Sequence, residues 1–524
     1  MPVSHVISAL SEPQLVRLGE DLAFAARRGD LIALRGELGA GKTTLARAII
    51  RALAGGDGED IPSPTFTLVQ TYATPRMPVA HLDLYRLNAP AELEELGLDL
   101  ALKQGIALVE WPERAGEALP GERLEILLED ATEAAPNAEV GTRRIALSAS
   151  GDWGARLDRL AAMRGLVAGG GMAGTDTSLR YMQGDASVRR YARIIRGPEP
   201  GSGSGGILMD WPRQPDGPAI RNGLPYSRLA HLAEDVRPFV AIAGALRSAG
   251  LSVPRILAQD LEHGFLLLED LGDRVFAVEV RTGASDQAQL WRAATEALAA
   301  LDGVQPPEAI PLADGSMHRI PTYDRDALAI ETELLLDWYW PALRGTAVPA
   351  AERAEFVSLW AEVFDRLAAM PAAWVLRDYH SPNLLWLPER EGIARVGVID
   401  FQDAMRGPAA YDLVSLLQDA RVDVAAELEA QLFDHYCALV TARRTGFDRD
   451  AFTFAYAALG AQRNTKILGI FARLARRDSK PAYLRHIPRL WRYLERDLAH
   501  PALAPLKRWY DRNLPAEARG GLHV

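Results

Sequence analysis

Residues 36–43 read Gly-Glu-Leu-Gly-Ala-Gly-Lys-Thr and match the pattern G-x-x-x-x-G-K-[ST] at every fixed position. An apolar run, 31–34, precedes the motif and a helix-forming run, 44–53, follows it, which is the strand–loop–helix setting of a phosphate-binding loop. In such a loop backbone N–H groups surround phosphate oxygens, a lysine supplies positive charge, and a threonine hydroxyl binds Mg²⁺. The pattern predicts a site for a nucleoside triphosphate with Mg²⁺, contacted by Glu37, Leu38, Gly39, Ala40, Gly41, Lys42, Thr43 and Thr44.

Two further apolar runs end in carboxylates. Asp83 closes the run 79–82, and Glu110 closes the run 106–109. Because the carboxyl ends of parallel strands open onto one ligand crevice, we expect both acids to face the Mg²⁺ held by Thr43. We interpret Asp83 and Glu110 as acids of the catalytic site. A strand-end carboxylate with a structural role is the alternative for Asp83.

A hydroxyl-rich loop and an aromatic residue complete the first candidate site. Residues 63–67 read Ser-Pro-Thr-Phe-Thr, and Thr65 is a candidate phosphate-sensing residue of a switch loop. Trp111 follows the second acid and is interpreted either as a nucleotide contact or as a core aromatic. His81 is interpreted as a packing or hydrogen-bonding histidine, because no carboxylate beside it in the sequence would orient it as a base.

A second constellation lies in the C-terminal half. Residues 377–383 read Arg-Asp-Tyr-His-Ser-Pro-Asn, and a strand-like run ends at Asp400. An Asp with an Asn five residues later fits the catalytic-loop pattern of kinases. Phosphoryl transfer to a hydroxyl needs one carboxylate to orient the nucleophile and further oxygen ligands to hold Mg²⁺. We therefore predict Asp378 as the base and Asn383 and Asp400 as metal ligands, with Asp403 as a weaker candidate.

The segments upstream of this constellation fit the same chemistry. Residues 184–187 join two strand-like runs and are predicted to cover the triphosphate. Residues 266–272 read as a strand that leads into a hinge, where backbone groups are predicted to pair with adenine. The predicted nucleotide contacts in these two segments are Gly184, Ser187, Glu269 and Leu271.

One residue that this chemistry usually requires is missing. No lysine occurs between Lys103 and Lys466, so the phosphate-pairing lysine of protein kinases is absent. Met209 and Asp210 occupy its region, and arginine is not a simple substitute for lysine at such a position. This departure argues against ordinary protein-kinase activity. The nearest candidate cations are Arg189, Arg190 and Arg193.

The histidine of the usual His-Arg-Asp triplet is also displaced. Leu376 stands in its place, and His380 follows the predicted base instead. Two interpretations of His380 are open: it orients the loop or contacts the substrate, or it has a purely structural role.

Length and composition limit the number of domains and the class of protein. A chain of 524 residues exceeds the size of a single core, so at least two domains are expected. A net charge of −11 argues against a general nucleic-acid-binding surface. The sequence has no apolar run long enough to span a bilayer, no signal-peptide pattern, and a single cysteine, Cys437. We therefore expect a cytoplasmic protein in a reducing compartment, without a membrane partner.

The candidate elements predict two domains around a glycine-rich stretch. Residues 165–174 are predicted to be a flexible linker. An α/β P-loop NTPase domain is predicted before it, over 1–164, and a two-lobed α+β kinase-like domain after it, over 175–515. The predicted N-lobe covers about 175–272 and the predicted C-lobe about 273–515. Strands are predicted at 31–35, 79–84, 106–111, 123–128 and 143–148, and helices of the second domain at 286–301, 324–343 and 351–370.

The motifs of the first half, taken together, resemble those of the TsaE family over about residues 5–160. They are the P-loop, Ser-Pro-Thr-Phe, His-x-Asp-x-Tyr-Arg and Glu-Trp, in the family's order and spacing. The resemblance implies Thr43 and Glu110 as Mg²⁺ ligands, Asp83 in the Walker B position and Thr65 in the switch loop. It also implies an ATPase of the bacterial system that makes threonylcarbamoyl-adenosine in tRNA, acting on TsaD and TsaB subunits that carry the transferase chemistry and the tRNA.

The second half resembles the aminoglycoside-phosphotransferase-like kinases over roughly 175–515. Within them it is most similar to the AmgK group of anomeric kinases for N-acetylmuramate and N-acetylglucosamine, through residues 184–191, 208–210, 377–380 and 463–469. The resemblance implies a two-lobed kinase fold, ATP as phosphate donor and an amino-sugar acceptor. Two alternatives stay open: a degenerate nucleotide-binding module that regulates, and a kinase that modifies aminoglycosides.

Overall fold

The chain forms two compact units in the computed structural model. Unit 1 comprises Met1–Pro212 and Ile256–Asp270, and unit 2 comprises Arg213–Arg255 and Leu271–Val524. This division differs from the predicted boundary at 165–174, because strands that follow that stretch belong to unit 1. The structure describes residues 3–55, 61–87, 90–131, 141–172, 177–182, 189–197, 204–519 and 522.

Unit 1 begins with a seven-stranded sheet built from β1 (Val3–Leu10), β2 (Leu31–Arg35), β3 (Val69–Tyr72), β4 (Val79–Asp83), β5 (Ile106–Glu110), β6 (Leu124–Asp130) and β7 (Arg143–Ala149). The strand order is β1-β7-β6-β2-β5-β4-β3. β2 pairs in parallel with β5 and β6, and β4 pairs in parallel with β5. The central strands are short apolar runs that are buried, as expected for strands covered on both faces. The five predicted strands are confirmed, whereas β1 and β3 were not predicted.

Among the described residues, four α-helices accompany this sheet: α1 (Glu12–Ala25), α2 (Lys42–Ala54), α3 (Leu98–Gln104) and α4 (Trp153–Val167). A capping box is present at the start of α1, where the Ser11 N–H donates to Gln14 Oε1 over 2.8 Å. Helices α1 and α2 pack closely because α1 carries Gly19 at their contact. A Cβ at Gly19 would lie 2.5 Å from the Cβ of Ala48.

A five-stranded antiparallel sheet forms the rest of unit 1. Its strands are β8 (Thr177–Met182), β9 (Arg190–Arg196), β10 (Ser204–Asp210), β13 (Ile256–Asp260) and β14 (Phe265–Leu268). Between β10 and β13 the chain forms a hairpin of unit 2, β11 (Ala219–Arg221) and β12 (Leu224–Pro225). The order is β13-β14-β10-β9-β8. Leu179, Leu208 and Leu267 of this sheet join the same buried apolar cluster as the helices of the first sheet. The two sheets of unit 1 therefore share one hydrophobic core.

The predicted linker is helical over its described part except at Gly171. Helix α4 runs through Gly165 to Val167, and a single wide helical turn, Ala168–Met172, continues it. Met172 is 5% exposed and belongs to the shared core of unit 1. Burial of apolar side chains on either side of the glycines outweighs their low helix propensity, which is about 1 kcal/mol per glycine.

Unit 2 is mainly helical. The predicted helices at 286–301 and 351–370 are confirmed, whereas the predicted helix 324–343 is interrupted by a wide turn, Leu335–Tyr339, just before Pro341. No described helix is both long and apolar enough to cross a membrane. The helices are α5 (Tyr226–Leu229), α6 (Arg237–Ser248), α7 (Phe276–Thr282), α8 (Gln287–Leu301), α9 (Arg325–Thr332), α10 (Trp340–Arg344), α11 (Ala350–Ala368), α12 (Ala410–Leu417), α13 (Ala426–Arg443), α14 (Arg449–Arg476), α15 (Ile487–Leu498) and α16 (Ala504–Asn513).

Short strand pairs position the chemistry-bearing loops of unit 2. The strands are β15 (Ala309–Pro311), β16 (Met317–Arg319), β17 (Ala373–Val375), β18 (Leu384–Trp386), β19 (Val396–Val398) and β20 (Met405–Gly407). β17 pairs with β20, and β18 pairs with β19, both antiparallel. The segment 376–383 therefore connects β17 to β18, and the segment 399–404 connects their partners. This pairing brings the two segments together, although their key residues lie about twenty positions apart in sequence.

Candidate functional site

The predicted phosphate-binding loop lies between β2 and α2. Gly41 is the N-cap of α2, with φ of 104°, and Gly36 has φ of 139°. A Cβ at Gly36 would lie 2.3 Å from the backbone oxygen of Leu128, so no other residue fits there without a shift. The loop side chains of Glu37 and Leu38 are exposed. The backbone thus forms an open turn at a helix N-terminus, which is the geometry that binds phosphate.

Lys42 curls back into this loop. Its Nζ donates to the backbone oxygens of Gly36 over 2.7 Å and Glu37 over 2.9 Å. The same ammonium lies 3.8 Å from the ring centre of Trp111. Burial lowers the pKa of Lys42, while Glu110 and other nearby acids oppose the shift. The carbonyl oxygens and the indole ring therefore hold the cation at the position where the motif predicts a phosphate.

Glu110 connects the loop to the ends of the parallel strands. Asp83 and Glu110 are direct partners in the β4–β5 register, so their side chains emerge on the same face. Thr43 Oγ1 donates to Glu110 Oε2 over 3.0 Å. Glu110 therefore contacts Thr43, Asp83 lies on the adjacent strand end, and the convergence of both acids on a metal stays a prediction. Both carboxylates are at most 4% exposed.

His81 differs from its sequence-based interpretation in one respect. A carboxylate does orient it: His81 Nε2 lies 2.9 Å from Glu110 Oε1, and both side chains are buried. The sequence did not reveal this pair because the partner comes from the neighbouring strand. The available signal was the two-residue spacing of His81 and Asp83, which puts both on one face of β4.

The hydroxyl-rich loop is tied to the second strand-end acid. Thr65 Oγ1 donates to Asp83 Oδ2 over 2.8 Å, and Ser63 Oγ lies 2.8 Å from Thr65 Oγ1. The other oxygen, Asp83 Oδ1, accepts the Tyr85 N–H over 3.0 Å. This chain of hydrogen bonds links the candidate switch loop to the acid in the Walker B position.

The donors at the first site suit Mg²⁺ with a phosphate ligand. The Thr43 hydroxyl and the Glu110 carboxylate are oxygen ligands in contact with each other, and the Asp83 carboxylate belongs to the adjacent strand end. Within the described ranges no three His, Cys, Asp or Glu side chains cluster as a ready metal cage. Mg²⁺ does not require one, since it is usually held by one or two protein oxygens, water and substrate phosphates.

Trp111 lies in the left-handed region, with φ of 58°, directly after β5. Its ring contacts the Lys42 ammonium and lies 5.1 Å from the Tyr85 ring, centre to centre. The backbone strain of such a residue costs about 1–3 kcal/mol and is typical of functional sites. The contact with Lys42 accounts for its position, and its role toward the nucleotide stays a prediction.

In unit 2 the segment after β17 is held from behind by a buried acid. The N–H groups of Leu376 and Arg377 donate to the Asp412 carboxylate over 2.5 and 2.9 Å. Arg377 itself has φ of 72° and is 3% exposed. Burial raises the pKa of Asp412 to about 7, although the two backbone donors act against the shift. Sequence reasoning missed Asp412, because no motif marks it.

The three residues predicted for phosphoryl transfer lie together. Asn383 Nδ2 donates to the Asp378 backbone oxygen over 3.0 Å and to Asp400 Oδ2 over 3.3 Å. The Asp378 side chain is 37% exposed, whereas its neighbours in the loop are buried. Burial favours protonation of Asp378, but its interactions with His380, Lys466 and two nearby arginines outweigh it and keep its pKa below the ordinary value. The carboxylate is therefore ionised at neutral pH.

Asp400 occupies a strained position at the end of β19. Its φ is 63°, and its Oδ1 accepts the Gln402 amide over 3.0 Å. Asp403, the weaker candidate, accepts the Ala233 N–H over 2.6 Å, and burial raises its pKa. Asp403 is therefore engaged with the backbone, whereas Asp400 shares its hydrogen bonds with the amides around the candidate metal site.

His380 is a neutral imidazole in this loop. It is 8% exposed, and burial lowers its pKa to about 4. Its Nε2 lies 3.8 Å from Asp378 Oδ1, and its buried Nδ1 has no hydrogen-bond partner among the described residues. The histidine thus lies beside the predicted base with one ring nitrogen unused.

A buried ionic cluster supports the loop from the helical side. Glu331 is fully buried and accepts from Lys466 Nζ over 2.8 Å and from Gln462 Nε2 over 2.9 Å. It also forms an ion pair with Arg377 and accepts the Tyr323 hydroxyl. The sequence singled out 463–469 only as a family likeness and gave no sign of Glu331.

Comparison with known proteins agrees with both constellations. The family model "Threonylcarbamoyl adenosine biosynthesis protein TsaE" matches residues 10–140, and the model "Phosphotransferase enzyme family" matches residues 183–452. The chain is 43% identical to an N-acetylmuramate/N-acetylglucosamine kinase of Caulobacter vibrioides, over 66% of this chain and 94% of that protein. The chain belongs to the phosphotransferase enzyme family and carries a TsaE domain ahead of it.

Two more relatives show the same division. The kinase of the same name from Pseudomonas aeruginosa is 38% identical over 52% of this chain and 77% of its own length. The TsaE protein of Rickettsia bellii is 40% identical over 22% of this chain and 81% of its own length. The protein is thus an enzyme with two ATP-using segments, a TsaE domain and a phosphotransferase.

The missing lysine of the phosphotransferase segment has a structural explanation. Met209 is fully buried on β10, and the buried Asp210 pairs with Arg159 of α4 and with Arg190 of β9. The strand position where a phosphate-pairing lysine is expected is therefore occupied by an acid that two arginines neutralise. Arg193, another candidate cation, lies 2.7 Å from Asp270 through its Nε.

Four predicted nucleotide contacts of the phosphotransferase segment stay predictions. Gly184 and Ser187 lie outside the described residues. Glu269 belongs to unit 1 and Leu271 to unit 2.

Proposed function

We propose that the protein is bifunctional. Its TsaE domain is an ATPase subunit of the system that makes threonylcarbamoyladenosine in tRNA. Its phosphotransferase segment is an ATP-dependent kinase for the anomeric hydroxyl of an amino sugar. The observation that carries this proposal is the presence of two separate sets of phosphate-handling residues. One set surrounds Lys42 in unit 1, and the other surrounds Asp378 in unit 2.

In the TsaE domain each residue has a role that its contacts support. Lys42 exchanges its backbone acceptors for phosphate oxygens when ATP binds, because a charged acceptor forms the stronger hydrogen bond. Thr43 and Glu110 would hold Mg²⁺, which would supply positive charge to the bound triphosphate. Asp83 holds Thr65, so the switch loop can respond to the γ-phosphate through a direct hydrogen bond.

His81 orients Glu110 rather than acting on ATP. It is fully buried, and its Nε2 donates to the carboxylate oxygen that does not contact Thr43. One carboxylate oxygen is thereby fixed by the histidine, while the other stays directed at the threonine hydroxyl. Such orienting partners sharpen metal-ligand geometry.

In the phosphotransferase segment Asp378 orients the acceptor hydroxyl and takes its proton. The hydroxyl oxygen forms a bond to the γ-phosphorus, and the bond from that phosphorus to the ADP oxygen breaks. Asn383 and Asp400 are the proposed Mg²⁺ ligands, and their mutual contact of 3.3 Å brings the two donors together. The low pKa of Asp378 keeps it ready to accept a hydrogen bond from the sugar.

The substrates and partners follow from the relatives. The kinases named above carry N-acetylmuramate and N-acetylglucosamine in their names, so these sugars are the proposed acceptors. The TsaE relatives are named for tRNA threonylcarbamoyladenosine biosynthesis, so TsaD and TsaB subunits are the proposed partners, with tRNA reached through them. The buried Arg463, which has no acidic partner among the described residues, disfavours a cationic aminoglycoside as the acceptor.

A test compares Lys42→Ala with Asp378→Asn in the purified full chain. Lys42→Ala is expected to abolish ATP hydrolysis stimulated by TsaD and TsaB while leaving sugar phosphorylation intact, and Asp378→Asn is expected to do the reverse. The exposed Lys103→Ala and Asp450→Asn are matched controls that should change neither activity. Stimulated ATPase activity retained by Lys42→Ala, or sugar kinase activity retained by Asp378→Asn, would show the corresponding assignment to be wrong.

A further inference from the structure

Arg463 is a buried cation near the kinase loop that lacks a partner. It lies on α14, is 6% exposed, and its Nη1 is buried without a hydrogen-bond partner among the described residues. No ion pair to Arg463 occurs within the part of the chain that the structure describes. A buried guanidinium without an acceptor is unfavourable. Its position therefore calls for an anion that is not part of the chain.

Arg463 differs in this respect from the other cations around Asp378. Lys466, three positions further along α14, is neutralised by Glu331. Arg377 is also neutralised by Glu331 and in addition donates to the Ala230 backbone oxygen. Two of the three cations thus have their carboxylate inside the fold, and only Arg463 among these three has none.

The surroundings of Arg463 belong to the acceptor side of the site. Its charge lowers the pKa of Asp378, and it also acts on His380 and Asp412. The neighbouring His380 likewise has a buried ring nitrogen without a partner in the described chain. Two buried polar atoms without a partner in the described chain therefore lie in the surroundings of the proposed base, where the substrate can supply their polar contacts.

We propose that Arg463 binds the carboxylate of the acceptor and thereby favours an acidic amino sugar over its neutral counterpart. This inference rests on the proposed kinase function. N-acetylmuramate and N-acetylglucosamine share the ring and the anomeric hydroxyl, and the former carries an additional ether-linked carboxylate. Arginine is suited to this recognition because its guanidinium can donate two parallel hydrogen bonds to a carboxylate. Arg463 is then a specificity-determining residue, with no part in the transfer itself.

The test is steady-state kinetics of the full chain with both sugars. Arg463→Gln should raise KM for N-acetylmuramate about 10- to 100-fold with little change in kcat, since it removes a charge-assisted hydrogen bond made equally before and during transfer. KM for N-acetylglucosamine should stay within about 3-fold. Arg463→Lys keeps the charge but loses the two-pronged contact, so its KM for N-acetylmuramate should be intermediate. Arg476→Gln, an exposed change on the same helix, is the matched control.

Turnover of N-acetylglucosamine by the same preparation reports that each variant is folded. Parallel losses with both sugars in both Arg463 variants would overturn the inference and leave the proposed kinase function standing. Unchanged kinetics with N-acetylmuramate would overturn it in the same way. Failure of the wild-type chain to phosphorylate either sugar would overturn the proposed function and the inference together.

Discussion

At the scale of single residues, both candidate sites depend on side chains that the sequence marks and on others that it does not. Motif spacing alone predicts roles for Lys42, Asp378 and Asp400. Glu331 and Asp412 could not, because they act from distant helices that reach the loop only in the folded chain. Motifs reveal residues that must follow a fixed local backbone, whereas buried supporting ions depend on tertiary packing.

Removal of the charge of Glu110 tests the strand-end acid in the TsaE domain. Glu110→Gln should reduce partner-stimulated ATP hydrolysis by about 100-fold or more, because the proposed metal loses a ligand and His81 loses its carboxylate. Glu113→Gln, an exposed change three residues later, should have little effect. Hydrolysis rates measured at saturating Mg²⁺ check this expectation. A wild-type rate in Glu110→Gln would contradict it.

Glu331 should make the stability of unit 2 depend on pH in the acidic range. Burial favours protonation, but Lys466 and Arg377 outweigh it and lower its pKa to about 2, below its ordinary value of 4.5. A depressed carboxyl pKa contributes stability above pH 4.5 that is lost as the pH falls from about 4.5 toward 2. Glu331→Gln should therefore lower the free energy of unfolding at pH 7 by about 3–5 kcal/mol and flatten its pH dependence in that window.

Urea unfolding of the full chain at pH 7 and near pH 3 measures both effects. Glu427→Gln changes an exposed glutamate of unit 2 and should leave the unfolding curve nearly unchanged. A Glu331→Gln chain as stable as the wild type at pH 7 would contradict the role of the buried cluster.

At the scale of elements, local patterns predicted most of the first sheet but not the glycine-rich stretch. Short apolar runs between turn residues gave β2, β4 and β5 nearly to the residue. Residues 165–170 are helical because apolar side chains next to the glycines join a core supplied by distant strands. Composition favoured a flexible segment there, and tertiary burial reversed that preference.

Alanine substitutions distinguish a helix from a flexible linker at this stretch. Gly165 lies inside α4 with open space where a Cβ would be, so Gly165→Ala should stabilise unit 1 by about 0.5–1 kcal/mol. Gly171 has φ of 73°, so Gly171→Ala should destabilise it by about 1–2 kcal/mol. Thermal unfolding of both variants gives the comparison. Equal and negligible effects would favour the linker that composition predicted.

At the scale of the whole molecule, the compact units do not coincide with the two catalytic segments. Strands β9, β10, β13 and β14 lie within the match to the phosphotransferase family, yet their sheet shares a core with the TsaE domain in unit 1. Specific hydrogen bonds accompany that core: the Leu179 N–H donates to Glu20 over 2.9 Å, and Arg190 donates to the Phe24 backbone oxygen over 2.9 Å. Sequence motifs report chemistry and could not predict this division.

A cavity in the five-stranded sheet should therefore lower the stability of unit 1, including the ATP-binding site around Lys42. Leu267 is fully buried in the shared core, so Leu267→Ala should destabilise unit 1 by about 2–5 kcal/mol and lower the temperature at which ATP hydrolysis is lost. Leu432→Ala makes a comparable cavity in unit 2, where Leu432 is 1% exposed. Leu432→Ala should instead lower the temperature at which sugar phosphorylation is lost. Equal thermal inactivation of ATP hydrolysis in both variants would contradict the shared core.

The pairing of Asp210 with Arg159 has a practical consequence for anyone who wishes to separate the two catalytic halves. A cut within the glycine-rich stretch would leave Asp210 with one guanidinium instead of two, since Arg159 comes from the helix before the cut. The same cut would expose Leu267 to solvent, because the helices that cover it would be removed. A kinase segment isolated in this way would carry Asp210 with only one of its two arginine partners. It would also expose an apolar surface on the sheet where a phosphate-pairing lysine is expected.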